Sequence, residues 1–280
     1  MIKSQSAFHS TKLLCRALNV STSAYYAWAT CRPSKRHLEN ATLRQSIKEY
    51  FVTSRQTYGV PRLQRVMKQN GQHHGKARIS RIMKQEGLQS KAAKRFKVTT
   101  NSQHTKPVAK NLLNRQFNPG CMNKAWVADI TYIQTTDGWL YLATVLDLHN
   151  RQIVGWSMGC RLVTALIEDA LTMAIQRYKP TQGIIHHSDR GSQYCSTSYQ
   201  HLLKKHGVVC SMSGSGNCYD NAVMESFYHT LKIELLYGEP LHSREETKLM
   251  IFDYIEVFYN RQRLHSALGY QTPEAFALAA

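Results

Sequence analysis

Residues 126–158 constrain the fold most. They read WVADITYI, then WLYLATVL, then RQIVGWSM, three β-rich runs. Asp137-Gly138 separates the first two and residues 147–150 separate the second from the third. An Asp-Gly pair between alternating apolar residues favours a two-residue hairpin, because both central positions take positive φ. Three antiparallel strands are therefore predicted. A helix is predicted from Thr164, where Ile167, Leu171, Ala174, Ile175 and Tyr178 keep helical spacing. Pro180 and Gly183 close it. Residues 184–187 form a short apolar strand, 197–206 a helix and 208–212 a fifth strand. Gly214, Gly216 and Asn217 mark a loop, and Asp220 or Asn221 can cap the helix that follows. No Gly or Pro interrupts that helix before Gly238, and Met224, Phe227, Leu231 and Leu235 give it one apolar face. The order β-β-β-α-β-α-β-α predicts an α/β domain with a mixed five-stranded sheet and flanking helices.

Three acids stand out within this frame. Asp129 lies in the first strand among apolar and β-branched neighbours, where a lone carboxylate is costly unless a cation joins it. Asp189 follows the fourth strand, at the end where open sheets place ligand sites. Glu225 lies beside the apolar face of the last helix. Asp129 and Asp189 are 60 positions apart, and 35 residues separate Asp189 from Glu225. Read singly, these could be a strand-end cap, a turn residue and a solvated helix face. Together they can converge from separate elements and offer the oxygen ligands that Mg²⁺ prefers. Two such ions would serve phosphodiester cleavage by activating the attacking oxygen and stabilising the leaving one. His187 could orient a metal-bound water or be a satisfied core histidine. Asp147 reads as a turn residue.

Charge divides the chain. Residues 1–120 carry 23 Lys and Arg against three acids (net +20), and residues 121–280 carry 13 against 15 (net −2), which together give the overall +18. Counterion release makes nucleic acid the natural partner of the first part. Residues 11–28 read as helix, turn, capped helix, the helix-turn-helix pattern, with Ser21 or Thr22 as cap. Further helices are expected over 38–51, from Pro61 to Asn70 and over 79–85, the last closed by Gly87. Arg62, Arg65, Arg78, Arg81 and Lys84 are the candidate phosphate contacts there, with a solvated face as the alternative. Residues 91–119 are polar and basic with two prolines and read as a linker, with a short docking turn at 111–117. The expected division is a basic helical DNA-binding region (1–90), a linker (91–120), a catalytic core (121–240) and a C-terminal helical extension (241–280).

No apolar run reaches the ~18 residues of a membrane span. The seven cysteines are scattered and none forms a C-x-x-C pair, which argues against a disulfide framework or a Cys-rich zinc site. A cytoplasmic, nucleoid-associated protein is expected.

The runs WVADITYI, GWLYLATVLDL, RQIVGW, HSDRGSQY, SMSGSGNCYDNAVMESFYHTLK and YIEVFYNRQRLHSALGYQTPEAF resemble the OrfB-type transposases of the bacterial insertion-sequence-three family. The core of that family is similar to retroviral integrase. The resemblance covers about residues 35–276. It implies a ribonuclease-H-like core and an Asp-Asp-Glu triad falling on Asp129, Asp189 and Glu225. It further implies two Mg²⁺ (or Mn²⁺) ions, cleavage at DNA 3′ ends and strand transfer by the freed 3′-OH. Double-stranded DNA, a homo-oligomer assembled on it and an upstream-frame protein or fusion are the implied partners. The integrase His-His-Cys-Cys module is missing from the sequence, so no zinc is expected. Arg190, His229, Lys232, Arg261 and Arg263 are further candidates for DNA contact. For Arg261 and Arg263, packing of the tail against the core is an equal alternative. A nuclease without strand transfer and a non-catalytic regulator of its own element are the competing functions.

Overall fold

The computed structural model describes residues 1–30, 34–91, 109–214 and 221–279. The chain divides into two compact units, Met1–Glu49 and Tyr50–Ala280. The first holds α1 (Ile2–Gln5), α2 (Thr11–Ala17), α3 (Thr22–Thr30) and most of α4 (Lys35–Thr53). The expected turn between α2 and α3 is present, with Asn19 at φ 52°. The Ser21 hydroxyl accepts the Ala24 N–H at 3.1 Å, as its capping role requires.

The second unit opens with a helical hairpin of α5 (Val60–Gln69) and α6 (Lys76–Gln85). Pro61 sits in the first turn of α5, where its missing N–H costs nothing. Leu63 and Met67 face Ile79, Ile82 and Met83 as the buried stripes of the pair. α6 starts three residues earlier than its apolar spacing predicts, because Lys76 to Arg78 are good helix formers with no apolar mark.

The sheet follows: β1 (Ala125–Thr135), β2 (Gly138–Asp147), β3 (Ile153–Gly159), α7 (Thr164–Tyr178), β4 (Ile185–Ser188), α8 (Thr197–Lys205) and β5 (Val209–Met212). Its strand order is β3-β2-β1-β4-β5. The first three strands are antiparallel and β4 and β5 run parallel to β1, the ribonuclease-H-like arrangement. Alternation along the strands sends residues to two cores. Val127, Ile133, Leu142 and Leu146 pack on one face with Met224, Phe227 and Leu231. Trp126, Ala128, Ala143 and Val145 pack on the other with α7 and α8. Gly155 in β3 is obligatory for that second layer, since a Cβ there would lie 2.2 Å from the Ala170 carbonyl oxygen.

The chain ends in α9 (Ala222–Leu231), α10 (Arg244–Asp253) and α11 (Pro273–Ala279). One continuous helix to Leu235 is not what forms. A π-helical turn, Lys232–Leu236, follows α9, and a second one, Tyr254–Tyr259, follows α10. The wider turn rotates Glu234 into the interior, where it is 4% exposed. Of the basic linker, residues 92–108 lie outside the described residues. The docking turn at 111–117 is present: Leu113 is buried, and the Ser211 hydroxyl accepts the N–H groups of Leu112 (2.9 Å) and Leu113 (3.4 Å).

Candidate active site

The sheet register brings the first two acids together. β1 pairs with β4 as Ala125↔Ile185, Trp126↔His186 and Val127↔His187, an offset of 60. Continued by two residues, the same offset sets Asp129 beside Asp189, which lies just past the end of β4. The 60-position gap in the sequence is thus the register itself. Asp189 is fixed by its own turn, because its Oδ1 accepts the Gly191 N–H at 2.8 Å. Asp129 Oδ1 accepts the Ile130 N–H at 2.8 Å.

α9 packs across the β1 face that carries Asp129. Tyr228 anchors it, donating its hydroxyl to the Asp129 carbonyl oxygen at 2.5 Å and lying 2.8 Å from Thr144 Oγ1. Glu225 is one turn earlier and half-buried. Burial, and then the negative charge of Asp189, push the Asp129 carboxyl well above the ordinary carboxylate range. Glu225 adds to that push, while the Ile130 N–H and the Lys232 ammonium oppose it without cancelling it. Burial also raises Glu225 and lowers Lys232, the latter against the attraction of Asp129.

Two buried oxygens beside this group have no hydrogen-bond partner among the described residues, Asn221 Oδ1 and the Tyr194 hydroxyl. Asn221 occupies the capping position of α9, but its side chain makes no cap bond. Its Nδ2 donates instead to the Ala128 carbonyl at 3.3 Å. The capping expectation for Asn221 is therefore corrected: the side chain is drawn down to β1, next to Asp129. Asp220, the other candidate cap, lies outside the described residues. The donor set, all oxygen with like charges crowded together, matches a hard divalent cation. Among the described residues no three His, Cys, Asp or Glu side chains come close enough to form a metal cage.

The neighbouring histidine and the fourth acid have structural partners. His187 is fully buried, with Nδ1 2.9 Å from Ser211 Oγ and Nε2 3.1 Å from Ser213 Oγ. Asp147, the last residue of β2, accepts N–H groups from Asn123 (2.7 Å), His149 (2.8 Å) and the Trp126 indole (3.2 Å). It orders the β2–β3 turn, as its sequence context suggests.

The expected DNA contacts fall into two groups. Arg65, Arg81 and Lys84 on the α5–α6 hairpin are exposed, as are His229 and Arg261. Arg78, Arg190 and Lys232 are half-buried. Arg190 donates through Nε to the Ser213 carbonyl at 2.7 Å, Lys232 lies over the Tyr132 ring at 5.2 Å, and Arg261 is 3.5 Å from Glu274. Arg263 does not face solvent. It is 5% exposed and grips buried Glu234 with Nη2–Oε1 at 2.7 Å and Nε–Oε2 at 2.8 Å. Tyr254 donates to the same carboxylate at 2.8 Å, and Arg62 Nη1 approaches it at 3.9 Å. Arg263 thus holds the tail to the core, the alternative left open by its sequence, and Arg62 leans inward toward the same hub. The hub was not foreseen. Its signal, Glu234 with Arg263, spans 29 positions and depends on the π turn.

The comparisons with known proteins agree with this architecture. Two integrase core domain families match residues 119–218 and 206–273, and an HTH-like domain family matches residues 37–96. A 31 kDa protein of insertion element IS600 from Shigella sonnei is 46% identical over 94% of this chain and 97% of its own length. Transposase InsF of insertion sequence IS3A from Escherichia coli is 40% identical over 98% of this chain and 96% of its own. A chain of the simian T-cell lymphotropic virus intasome is similar at 16% identity with a TM-score of 0.48, covering 76% of this chain and 70% of that one. A DNA-binding HTH-like domain joined to an integrase core defines the class. Within it, the chain belongs to the IS3 family of insertion-sequence transposases. No helix among the described residues is long and apolar enough to cross a membrane.

Proposed function

We propose that the chain carries out the chemical steps of transposition itself, with Asp129, Asp189 and Glu225 as the catalytic carboxylates. The observation that carries this reading is the β1–β4 register, which continued by two residues sets Asp129 beside Asp189, with the Asp129 carboxyl raised by burial and by the charge of Asp189. A stable fold gains nothing from two acids set side by side, so such crowding points to a cation that relieves it. Asp129, Asp189 and Glu225 would hold Mg²⁺ or Mn²⁺, two ions per site. When bound, the ions supply charge neutralisation at the reacting phosphate and lower the pKa of an attacking hydroxyl. The carboxylates would orient the ions, and Tyr228 holds the β1 backbone at Asp129.

In the first step a water oxygen attacks phosphorus and the bond to the 3′ oxygen breaks, leaving a free 3′-OH. In the second, that 3′-OH attacks a phosphodiester of the target, one P–O bond replacing another, so no external energy source is needed. Arg65, Arg78, Arg81, Lys84, Arg190, His229, Lys232 and Arg261 would meet the DNA backbone, within a basic region over residues 1–90 that serves a core over 121–240. Two ends must be joined, so a homo-oligomer on double-stranded DNA is the working form, alone or with an upstream-frame partner.

The test is a labelled duplex bearing the element's own terminal sequence, incubated with the full chain and Mg²⁺. Metal-dependent nicking at the 3′ end followed by joining is expected. Asp189→Asn should bind that duplex and leave it uncut. Cleavage by Asp189→Asn would remove the acid from the mechanism. Nicking without joining would favour a nuclease.

A further inference from the structure

β4 ends at Ser188 and the β2–β3 pairing ends at Tyr141↔Gly159, so past Tyr132 the strands β1 and β2 continue as a two-stranded arm. Tyr132 and Trp139 lie diagonally across this arm, with ring centroids 5.2 Å apart and planes at 89°. They remain 50% and 46% exposed, although large aromatic rings are normally covered. Alternation turns Tyr132 and Trp139 to the face of β1 opposite Asp129, and Lys232, which reaches the Tyr132 ring and is also attracted to Asp129, links the two at the edge of β1 that β4 leaves open.

The arm is braced at its tip. Asp137 Oδ2 accepts the Arg244 N–H at the start of α10 at 2.8 Å, and the Arg244 guanidinium bonds the Asp137 carbonyl. The Thr136 N–H donates to the His242 carbonyl at 2.9 Å. Nothing in the core needs these aromatics in the open, yet the hairpin that carries them is pinned at both residues of its turn. A preorganised aromatic surface loses little entropy when a flat ligand settles on it.

We propose that Tyr132 and Trp139 form a stacking platform for an unpaired nucleobase at the DNA end being cut, with Lys232 on the adjoining phosphate. The proposal rests on the transposase reading above. A base is the occupant that the chemistry selects. Aromatic faces accept any base by stacking, and the nearby ammonium matches the phosphate that every base brings with it. Removing the base from its stack would free the backbone to bend into the acids, and the platform would offset the lost stacking.

The test uses the full chain and a terminal duplex with 5-iodouracil placed in turn at the last few positions. Irradiation should cross-link one such position to Tyr132 or Trp139, mapped by peptide mass. Trp139→Ala should slow nicking of a fully paired end by about 10- to 100-fold. Mismatching the terminal pairs should restore most of that loss, and Trp139→Phe should keep near-normal rates. An Asp129→Asn variant should cross-link without cutting, which separates the two readings. Cross-linking by a wild-type protein that never nicks would sink the catalytic reading and leave the platform standing. DNA bound by Asp129→Asn without any cross-link to the arm, or equal slowing of paired and mismatched ends by Trp139→Ala, would overturn the platform.

Discussion

Two partly hidden carboxylate sites in this molecule are built in opposite ways. At Glu234 the charge is matched: Arg263 grips both oxygens, and Tyr254 adds a third bond. At Asp129 the largest influence after burial is another acid, and the Lys232 ammonium does not outweigh it. The first arrangement holds the C-terminal tail against the core. The second leaves a site that gains from a cation. A buried acid reveals its role by what surrounds it, and only the mismatched site reads as chemical.

This contrast can be broken by experiment, beginning with the largest effect. At the mismatched site, Asp189→Asn should reduce strand cleavage by roughly three orders of magnitude or more with binding of end DNA retained, read by gel shift and nicking side by side. At the matched site, Arg263→Ala should cost about 3–5 kcal/mol of stability in denaturant unfolding, because it strands a buried carboxylate. Replacing Arg263 and Glu234 together by Met should cost less than Arg263→Ala alone. If the single change is mild, the hub does not hold the tail.

The third prediction concerns acid. His186 lies buried in β4, 3.1 Å from the Tyr199 hydroxyl, and burial, with a smaller effect from His187, lowers its pKa to about 4. His265, buried beside Arg263, is also pushed down. A base whose folded pKa lies below its unfolded value of about 6.5 costs nothing above pH 6.5. Stability is lost as pH falls from there, because only the unfolded chain takes up the proton. For His186 the loss approaches about 3 kcal/mol by pH 4 at ~1.4 kcal/mol per pH unit. Urea midpoints at pH 7, 5.5 and 4.5 would follow it, and His186→Gln should flatten the decline.

The smallest effects concern charge at the surface. Arg81→Ala with Lys84→Ala should lower the salt dependence of DNA binding by a slope of about 2 if both meet phosphate. An unchanged slope would confine the contacts to other elements. Asp129→Asn should stabilise the metal-free protein at pH 7, because the raised carboxyl is costly when ionised. That gain should shrink as pH falls and vanish below about 4, where the unfolded chain also takes up the proton.

Much of the fold was legible because its signals are local. Asp137-Gly138 turns the first hairpin, Gly87 follows α6, and the five strands fall where the β-rich runs stand. The candidate site was legible for a related reason, since the 60-position gap between the first two acids survives as a strand register. What stayed hidden is long-range. Helical periodicity cannot announce a π turn, so Glu234 went unmarked and Arg263 was read as a candidate for DNA contact. Asn260 shows the same limit. Its side chain accepts from the Ile153 N–H and donates to the Ile153 carbonyl, both at 3.0 Å, completing edge strand β3 from 107 positions away. Asn221 was legible as a helix start but not as a donor to β1, because that bond depends on where the helix lands.

The central claim is that the mismatched acids await divalent ions. Its most direct test counts Mn²⁺ bound by the full chain on its end duplex, by electron paramagnetic resonance, for wild type, Asp129→Asn and Glu225→Gln. The account predicts acid-dependent Mn²⁺ binding in the wild type that is largely lost in Asp129→Asn and weakened in Glu225→Gln. Equal Mn²⁺ binding by all three would contradict it, and the crowded carboxylates would then need another explanation.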